Sequence, residues 1–279
     1  MASGALVLVA TPIGNMGDLS PRAIETLRTA DAICCEDTRR TGRLLELAGV
    51  ERRAPLLVVN DHTEATRIGD VLTRLARGER VVFVTDAGMP GISDPGERMV
   101  RAAAAQGHAI EIVPGPSAAV SALVLSGLPT GRFVFEGFLP RKGSGRTERL
   151  AELATERRTI VLYEAPHRLA RKLAVFATAV GAERQVAVAR ELTKLHEEVW
   201  RGAIGDARAW AESAEPRGEF VLVVDGAPEA ETASDDEVRD AIEAALRRGL
   251  SARDAAAEVA SVLGVPKRRA YAAAVDVQR

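Results

Sequence analysis

Short apolar runs alternate with amphipathic stretches along the first half of the chain. The apolar runs fall at residues 6–10, 32–35, 56–59, 80–85 and 110–113. Between them, apolar residues recur at helical spacing, as Ile68, Val71 and Leu75 do within residues 64–77. Ser20-Pro21 is typical of a helix N-cap followed by proline in the first turn. This alternation predicts an α/β sheet, parallel at least in part, with helices on both faces.

Each predicted strand runs into a polar loop. The five loops begin with Thr11-Pro12-Ile13-Gly14-Asn15, Glu36-Asp37-Thr38-Arg39-Arg40, Asn60-Asp61-His62-Thr63-Glu64, Asp86-Ala87-Gly88 and Pro114-Gly115-Pro116-Ser117. Ligands of open α/β sheets bind beyond the carboxyl ends of the strands. We therefore expect the five loops to share one crevice.

The loop at residues 86–96 follows Val81-Val82-Phe83-Val84, an apolar run without alternation that suits a parallel strand covered on both faces. Gly88, Gly91 and Gly96 allow backbone to approach a ligand closely. We interpret this segment as a ligand-binding loop, and an ordinary turn is the alternative.

Turn residues at 127–131 predict a domain boundary. Beyond it, strands are predicted at residues 132–138, 159–163, 186–189, 198–203 and 219–224, with helices ending at 157 and spanning 167–180. The later strands lack long crossovers, so their sheet should be mixed or antiparallel. The predicted domains are an N-terminal α/β domain at 1–128 and a second α/β domain, with a mixed sheet, at 129–227.

Residues 227–235 have the composition of a linker. Three short helices are predicted after it, at 236–248, 252–263 and 267–277, within a small helical domain at 235–279. Their spacing and the Lys267-Arg268-Arg269 cluster are compatible with a helix-turn-helix, whose second helix usually contacts nucleic acid. A helical cap that packs on the main body is equally compatible.

Composition limits the partners. The net charge is −2 with 27% charged residues, so any RNA contact must be a local basic patch. The adjacent Cys34 and Cys35 have neither a metal-ligand spacing nor an easy disulfide geometry, which fits a reducing compartment. Neither a leader nor a run approaching the roughly 18 apolar residues of a membrane span is evident, so we expect a cytoplasmic protein without membrane contact.

Several common chemistries lack their motifs. No G-x-G-x-x-G and no Gly-Lys dipeptide occur, which excludes the dinucleotide fingerprint and the Walker A loop. The four histidines have no metal-ligand spacing, and we expect no metal site. Loops rich in Gly and Pro with few titratable groups suit a cofactor that brings its own reactivity.

Seven stretches, in order along the chain, together resemble the ribosomal RNA small subunit methyltransferase I family, a branch of the tetrapyrrole methylase superfamily. They are Thr11-Pro12-Ile13-Gly14-Asn15, Glu36-Asp37-Thr38-Arg39, Asp86-Ala87-Gly88-x-Pro90-x-Ile92-x-Asp94-Pro95-Gly96, Pro114-Gly115-Pro116-Ser117-Ala118, Ser126-Gly127-Leu128-Pro129, Gly137-Phe138-Leu139-Pro140 and Tyr163-Glu164-x-Pro166-His167-Arg168. Ala189-Arg190-Glu191-Leu192-Thr193-Lys194 also fits the family.

The resemblance implies two α/β domains with S-adenosylmethionine in the cleft between them, a small C-terminal helical domain and a homodimer. It implies methyl transfer to the 2′-oxygen of a cytidine in small-subunit (16S) rRNA, on naked rRNA or a ribosomal particle. Tetrapyrrole-modifying members usually carry Gly-x-Gly-Pro-Gly-Asp after the first strand. The Thr-Pro-Ile-Gly-Asn found here disfavours a porphyrinoid substrate.

By the same resemblance, the cofactor should contact residues from both domains. These are Pro12, Asp86, Ala87, Gly88, Ile92, Ser117, Ala118, Tyr163 and Arg190. A strand-ending turn at Pro12 and core packing of Tyr163 are the structural alternatives.

A ribose hydroxyl must lose its proton during methyl transfer. His62, Asp37 and Glu36 follow predicted strands, and a neutral imidazole is a plausible proton acceptor near pH 7. We rank His62 first. A structural histidine, and for Asp37 an ion pair or a charge at a helix N-terminus, are the alternatives.

The predicted RNA contacts are charged side chains near the cleft and on a loop that opens the second domain: Arg39, Arg141, Lys142, Arg146, Arg149, Glu191 and Lys194. Arg190 is a further candidate. The loop places four cations within nine residues, so it can follow a phosphate backbone. A solvated charge run explains it equally well.

Two other functions compete with rRNA methylation. One is methylation of a tetrapyrrole or another small molecule, and the other is a non-enzymatic ribosome-assembly role. Only rRNA methylation requires both RNA binding and consumption of S-adenosylmethionine.

Overall fold

The computed structural model describes residues 4–60, 62–213, 218–228 and 233–277. They fall in two compact units, one ending at Ala227 and the other beginning at Pro228. Residues 229–232 of the predicted linker lie outside the described residues. In the described ranges, every helix is too short or too polar to cross a membrane.

Apolar runs form a parallel sheet of five strands in the described part of the first unit. The strands are β1 (Ala5–Val9), β2 (Ala32–Cys35), β3 (Leu56–Val58), β4 (Arg80–Phe83) and β5 (Ala109–Val113), in the order β3-β2-β4-β1-β5. Neighbouring strands are parallel. Val82 and Phe83 of the central β4 are fully buried, which confirms the predicted strand with two covered faces.

Helices cover both faces of this sheet. They are α1 (Pro21–Arg28), α2 (Thr38–Leu47), α3 (Glu64–Ala76) and α4 (Glu97–Ala105). Because side chains alternate along a strand, Val7 packs with α1 and α2, whereas Leu6 packs with α3 and α4. The Ser20 hydroxyl accepts a hydrogen bond from the Ala23 N–H, which confirms the predicted start of α1.

The edge strand β5 is incompletely covered. Its Ile110 and Ile112 side chains are 37% and 54% exposed. The next helix, α5 (Ala118–Ser126), packs through Ala119, Ala122 and Leu123 against a second sheet. The first sheet therefore ends in an exposed apolar strand.

The second sheet contains β6 (Phe133–Phe138), β7 (Thr159–Glu164), β8 (Gln185–Arg190), β9 (Glu198–Ala203) and β10 (Phe220–Val224), in the order β6-β7-β10-β8-β9. The β6 and β7 strands are parallel and the other neighbours are antiparallel, which confirms the predicted mixed sheet.

Opposite α5, this sheet is covered by α6 (Ser144–Thr155), α7 (Leu169–Val180) and α8 (Ile204–Ser213). The sequence did not predict α8. Its buried positions are Ile204, Ala207 and Ala211, so two alanines leave the helical pattern weak.

The second unit consists, over its described residues, of α9 (Asp235–Arg247), α10 (Ala252–Val262) and α11 (Lys267–Val277), as predicted within one residue at each end. Ser234 and Glu237 form a capping box at the start of α9, and Ser251 caps α10. Val238, Ile242 and Val259 are buried in an apolar core that belongs to this unit. The predicted fold class is confirmed, while the exact domain bounds stay predictions.

Candidate active site

A cavity of about 230 Å³ lies within the first unit, where loops of the two sheets meet. Most of the residues predicted to bind the cofactor line it, together with three predicted for catalysis or RNA: Glu36, Asp86, Ala87, Gly88, Ile92, Ser117, Ala118, Tyr163, Glu191 and Lys194. Residues that the sequence analysis did not assign also line it, notably Arg40, Asp94, Phe138, Glu164 and Glu219.

The loop at residues 86–96 has the conformation that its glycines suggest. Gly88, Gly91 and Gly96 have φ values of 83°, 81° and 130°, and Ser93 also adopts a positive φ of 62°. Gly88 is tied to Thr11 by two backbone hydrogen bonds of 2.9 and 3.1 Å. This pairing joins two of the predicted ligand loops.

A buried carboxylate supports the far end of this loop. The Oε1 atom of Glu64 accepts hydrogen bonds of 3.1 Å from the N–H groups of both Gly96 and Met99. Gly96 has no side chain to cap α4, so Glu64 supplies the missing acceptor from α3. We conclude that Glu64 positions the loop without lining the cavity itself.

We expect Glu64→Leu to weaken S-adenosylmethionine binding by about tenfold. The substitution removes two hydrogen bonds to a charged group, each of which contributes roughly 1.5–3 kcal/mol to the stability of the loop. Only part of that loss in loop stability lowers the affinity for the ligand. Glu64→Gln retains an acceptor oxygen and should restore most of the affinity. Calorimetry measures the affinity, and hydrogen exchange of residues 86–99 reports loop order. The matched control is Glu97→Leu, which removes an exposed carboxylate from the same helix end. Equal affinity in the Glu64→Leu and Glu97→Leu proteins would contradict the positioning role.

Asp86 is the charged residue at the middle of the cavity wall that the loops of the first sheet form. Its N–H donates to Glu36 Oε1 at 3.0 Å, and its Oδ2 accepts from Arg40 at 3.0 Å. Its Oδ1 atom is buried and, among the described residues, has no hydrogen-bond partner. A buried carboxylate oxygen without a donor is costly, so a polar ligand in the cavity would stabilise it.

The second sheet contributes an aromatic wall and a buried ion cluster. Tyr163 packs against Phe135 and Phe138 with ring centroids 5.1 and 5.6 Å apart, and burial raises the pKa of its phenol. The buried Glu164 carboxylate pairs with Arg168 at 2.9 Å and Lys172 at 3.4 Å. Burial lowers the pKa of the Lys172 ammonium, against the attraction of Glu164.

The loop at residues 191–194 closes one side of the cavity in a strained conformation. Glu191 and Thr193 have positive φ values of 51° and 65°, which non-glycine residues rarely adopt. Lys194 Nζ donates to Glu191 Oε1 at 2.8 Å. A Cβ at Gly14 would lie 2.5 Å from Lys194 Cγ, so the loops containing Gly14 and Lys194 meet at van der Waals contact. Strain that the surrounding structure maintains is common at functional sites.

Two of the three predicted catalytic residues do not line the cavity. Asp37 is the N-cap of α2, and hydrogen bonds from the Arg39 side chain, with further backbone donors, lower its pKa to about 2. His62 is exposed, and its backbone N–H donates to Asn60 Oδ1 at 3.1 Å. Glu36 alone of the three reaches the cavity. The role of His62 as a proton acceptor therefore stays a prediction without support from its position.

Other predicted contacts lie around the cavity. Pro12 lines a neighbouring cavity beside α2. Arg190 pairs with Glu198 at 2.6 Å and its guanidinium carbon lies 5.9 Å from the Trp210 ring centroid. Within the described ranges, no group of three or more His, Cys, Asp or Glu side chains is arranged to hold a metal ion.

The predicted basic loop is partly engaged in internal contacts. Arg149 donates two hydrogen bonds of 2.6 Å to Glu136 and also pairs with Glu152. These bonds raise the pKa of its guanidinium. Arg146 donates to the Arg141 carbonyl at 3.3 Å. Arg149 therefore fastens α6 to β6, and it is a weaker candidate for a phosphate contact than Arg141 or Lys142.

Two family models and several curated relatives match this chain. Residues 5–208 match a family model described as Tetrapyrrole (Corrin/Porphyrin) Methylases, and residues 232–278 match one described as RsmI C-terminal HTH domain. The ribosomal RNA small subunit methyltransferase I of Xylella fastidiosa (strain Temecula1) is 48% identical, covering 96% of this chain and 98% of the relative. Its namesake in Synechocystis is 44% identical, covering 99% of both.

Solved structures share the fold of the first unit. Uroporphyrin-III-C-methyltransferase from Thermus thermophilus has a TM-score of 0.56 at 24% identity, covering 80% of this chain and 94% of that one. Diphthine synthase has a TM-score of 0.62 at 15% identity, covering 80% and 90%. At these identities, the likeness extends to the fold alone.

Proposed function

Because the chain belongs to the ribosomal RNA small subunit methyltransferase I family of tetrapyrrole methylases, we propose that it methylates the ribose 2′-oxygen of a cytidine in 16S rRNA. It is an S-adenosylmethionine-dependent methyltransferase. The observation that supports a ligand here most directly is the buried Oδ1 of Asp86, which has no hydrogen-bond partner among the described residues and belongs to a cavity that both sheets line.

The residues present fit a zwitterionic, sulfonium-bearing cofactor. S-adenosylmethionine supplies a methyl group activated on a positively charged sulfur. Asp86, Asp94 and Glu36 provide negative charge around the cavity, and Gly88 exposes backbone to it. Tyr163 and Phe138 provide an aromatic surface that suits a purine. We assign cofactor binding to these residues and to Ala87, Ile92, Ser117 and Ala118.

The remaining task of the chain is to hold a ribose hydroxyl in line and accept its proton. Glu36 is the predicted acceptor that lines the cavity, and its Oε1 is held by the Asp86 N–H. We assign binding of the ribose or its phosphate to the Glu191–Lys194 pair, whose loop has positive φ values at residues 191 and 193. We therefore move the proton-accepting role from His62 to Glu36.

The proposed reaction is tested by mapping 2′-O-methylated nucleotides in 16S rRNA from a deletion strain, with and without the restored gene. Loss and return of one cytidine methylation is the expected result. Methylation of a porphyrinoid by the purified protein, with rRNA unchanged, would support the small-molecule alternative. RNA binding without consumption of S-adenosylmethionine would support the assembly role.

The match of the tail to a family model named for an HTH domain supports an RNA contact there, and Arg141 and Lys142 remain proposed contacts.

We also propose that the protein is a homodimer in the cytoplasm. Large exposed apolar side chains concentrate in one segment of the described chain, at Ile110, Ile112, Val120, Val124, Leu125 and Phe133. An apolar surface of this kind is typical of a protein interface.

We expect the parent chain to sediment as a dimer at micromolar concentration, and Val124→Glu to shift it toward the 29.6 kDa monomer, because a charge would be buried at the interface. Val124 is 67% exposed, and Val262→Glu, at a position 75% exposed in the second unit, is the matched control. A monomeric parent would contradict the proposed homodimer. A dimer unchanged by Val124→Glu would contradict this surface.

A further inference from the structure

We propose that the cavity beside α2 is a subsite for the nucleotide that adjoins the target nucleotide in the RNA strand. This inference rests on the proposed rRNA substrate and adds the route of the strand. The cavity, of about 290 Å³, is close in size to small-ligand sites, which begin at roughly 300 Å³.

The position of this cavity links it to the active site. Arg40 and Asp86 line both cavities, and Thr11, Pro12 and Gly14 of the first ligand loop line the second. Because the two cavities share these residues, a strand whose target ribose occupies the first cavity can place an adjoining nucleotide in the second.

One face of α2 forms the wall of the subsite. Arg40, Arg43, Leu44 and Leu47 are spaced i, i+3, i+4 and i+7, so their side chains share one face. The helix meets its core through Thr41 and Leu45, which are buried. Thr41 also lines the cavity and Leu44 packs partly against that core, whereas Leu47, at the end of the cavity-facing side, remains 52% exposed.

The chemistry of this wall suits single-stranded RNA. Apolar Leu44, Leu47 and Met16 can pack against a base, and guanidinium groups can stack on bases or bind phosphate. Arg43 now pairs with Glu46 at 2.7 Å, but both side chains are more than 60% exposed. Such surface pairs contribute only about 0.2–1 kcal/mol, so a phosphate can replace Glu46 at little cost.

The test uses the full-length protein and a single-stranded 16S rRNA fragment that contains the methylated cytidine. Arg43→Ala should remove one phosphate contact and flatten the slope of log affinity against log salt by about 0.7. Leu47→Ala should weaken RNA binding severalfold with an unchanged slope. Arg28→Ala is the matched control, because Arg28 forms an equivalent i,i+3 pair on α1. Affinity for S-adenosylmethionine should be the same in all variants.

A photo-crosslinking residue in place of Leu47 provides a readout independent of activity. A crosslink to a nucleotide next to the methylated cytidine would support the subsite. Parental slope and affinity in both α2 variants, or a crosslink to a protein or a distant nucleotide, would overturn it while leaving cytidine methylation intact. If the parent protein does not methylate the rRNA at all, the proposed function fails instead, which the methylation map detects separately.

Discussion

The Gly88→Val protein should bind S-adenosylmethionine at least 100-fold more weakly than the parent. Gly88 has a φ of 83°, and a left-handed conformation costs a non-glycine residue roughly 1–2 kcal/mol, more for a β-branched one. A Cβ there would already lie 3.5 Å from Ile13 Cγ2, so the two further methyl groups of valine must displace the Thr11–Gly88 pairing or enter the cavity. Either movement disrupts the surface that faces the cofactor. Calorimetry measures the resulting loss of S-adenosylmethionine affinity.

Gly107→Val separates this effect from backbone strain. Gly107 has a similar φ of 73° and follows α4, and in the part of the chain that the structure describes no atom of another segment lies within 4 Å of the place that a Cβ would take. Both variants should therefore lose comparable thermal stability, while only Gly88→Val loses cofactor affinity. Equal cofactor affinity in the two proteins would remove the 86–96 loop from the site.

The Gly14→Ala protein should methylate rRNA at least tenfold more slowly, with a much smaller change in cofactor affinity. The new Cβ would lie 2.5 Å from Lys194 Cγ and 2.9 Å from the Leu192 carbonyl oxygen. A flexible lysine can move, but the backbone carbonyl belongs to a loop whose residues 191 and 193 already have positive φ. The added methyl should therefore displace the Glu191–Lys194 pair from the substrate.

Gly69→Ala provides the control for a glycine replaced in the same unit. Gly69 lies within α3 with open space around the added Cβ, so alanine should raise stability by roughly 0.5–1 kcal/mol through helix propensity. Single-turnover methylation with saturating cofactor measures both variants. A parental rate in Gly14→Ala would show that the contact between the two loops is dispensable.

Patterns among neighbouring residues predicted the strands, helix starts and turns, because these elements depend mainly on interactions between residues close together in the sequence. The run ending at Phe83 and the glycines after it indicated a buried strand and a ligand loop, because periodicity and left-handed backbone are properties of neighbouring residues. The start of α1 was predictable for the same reason, since Ser20 caps the helix by accepting from the N–H of Ala23, three residues further on.

The unpredicted parts of the site depend on contacts between distant segments. Glu64 reaches the N–H of Gly96 across 32 positions, and Arg40 reaches Asp86 across 46. No spacing rule along one helix or strand indicates such pairs. Arg149 illustrates the opposite error: its charge suggested RNA, but Glu136, 13 positions earlier, is its partner. Whether a cation is available to a ligand depends on the acid that folding places beside it.

The Arg40–Asp86 ion pair lines both cavities, so a charged ligand in either cavity would change the electrostatic potential in the other. An anion in the second cavity that draws the Arg40 guanidinium away from Asp86 would leave that carboxylate less neutralised and so more attractive to a cation in the first cavity. Linkage requires the converse, that a cation beside Asp86 favours an anion beside Arg40 by the same factor. When a cationic ligand loses its charge by donating a methyl group, both preferences weaken together. A single ion pair can therefore couple the turnover of one ligand to the release of the other.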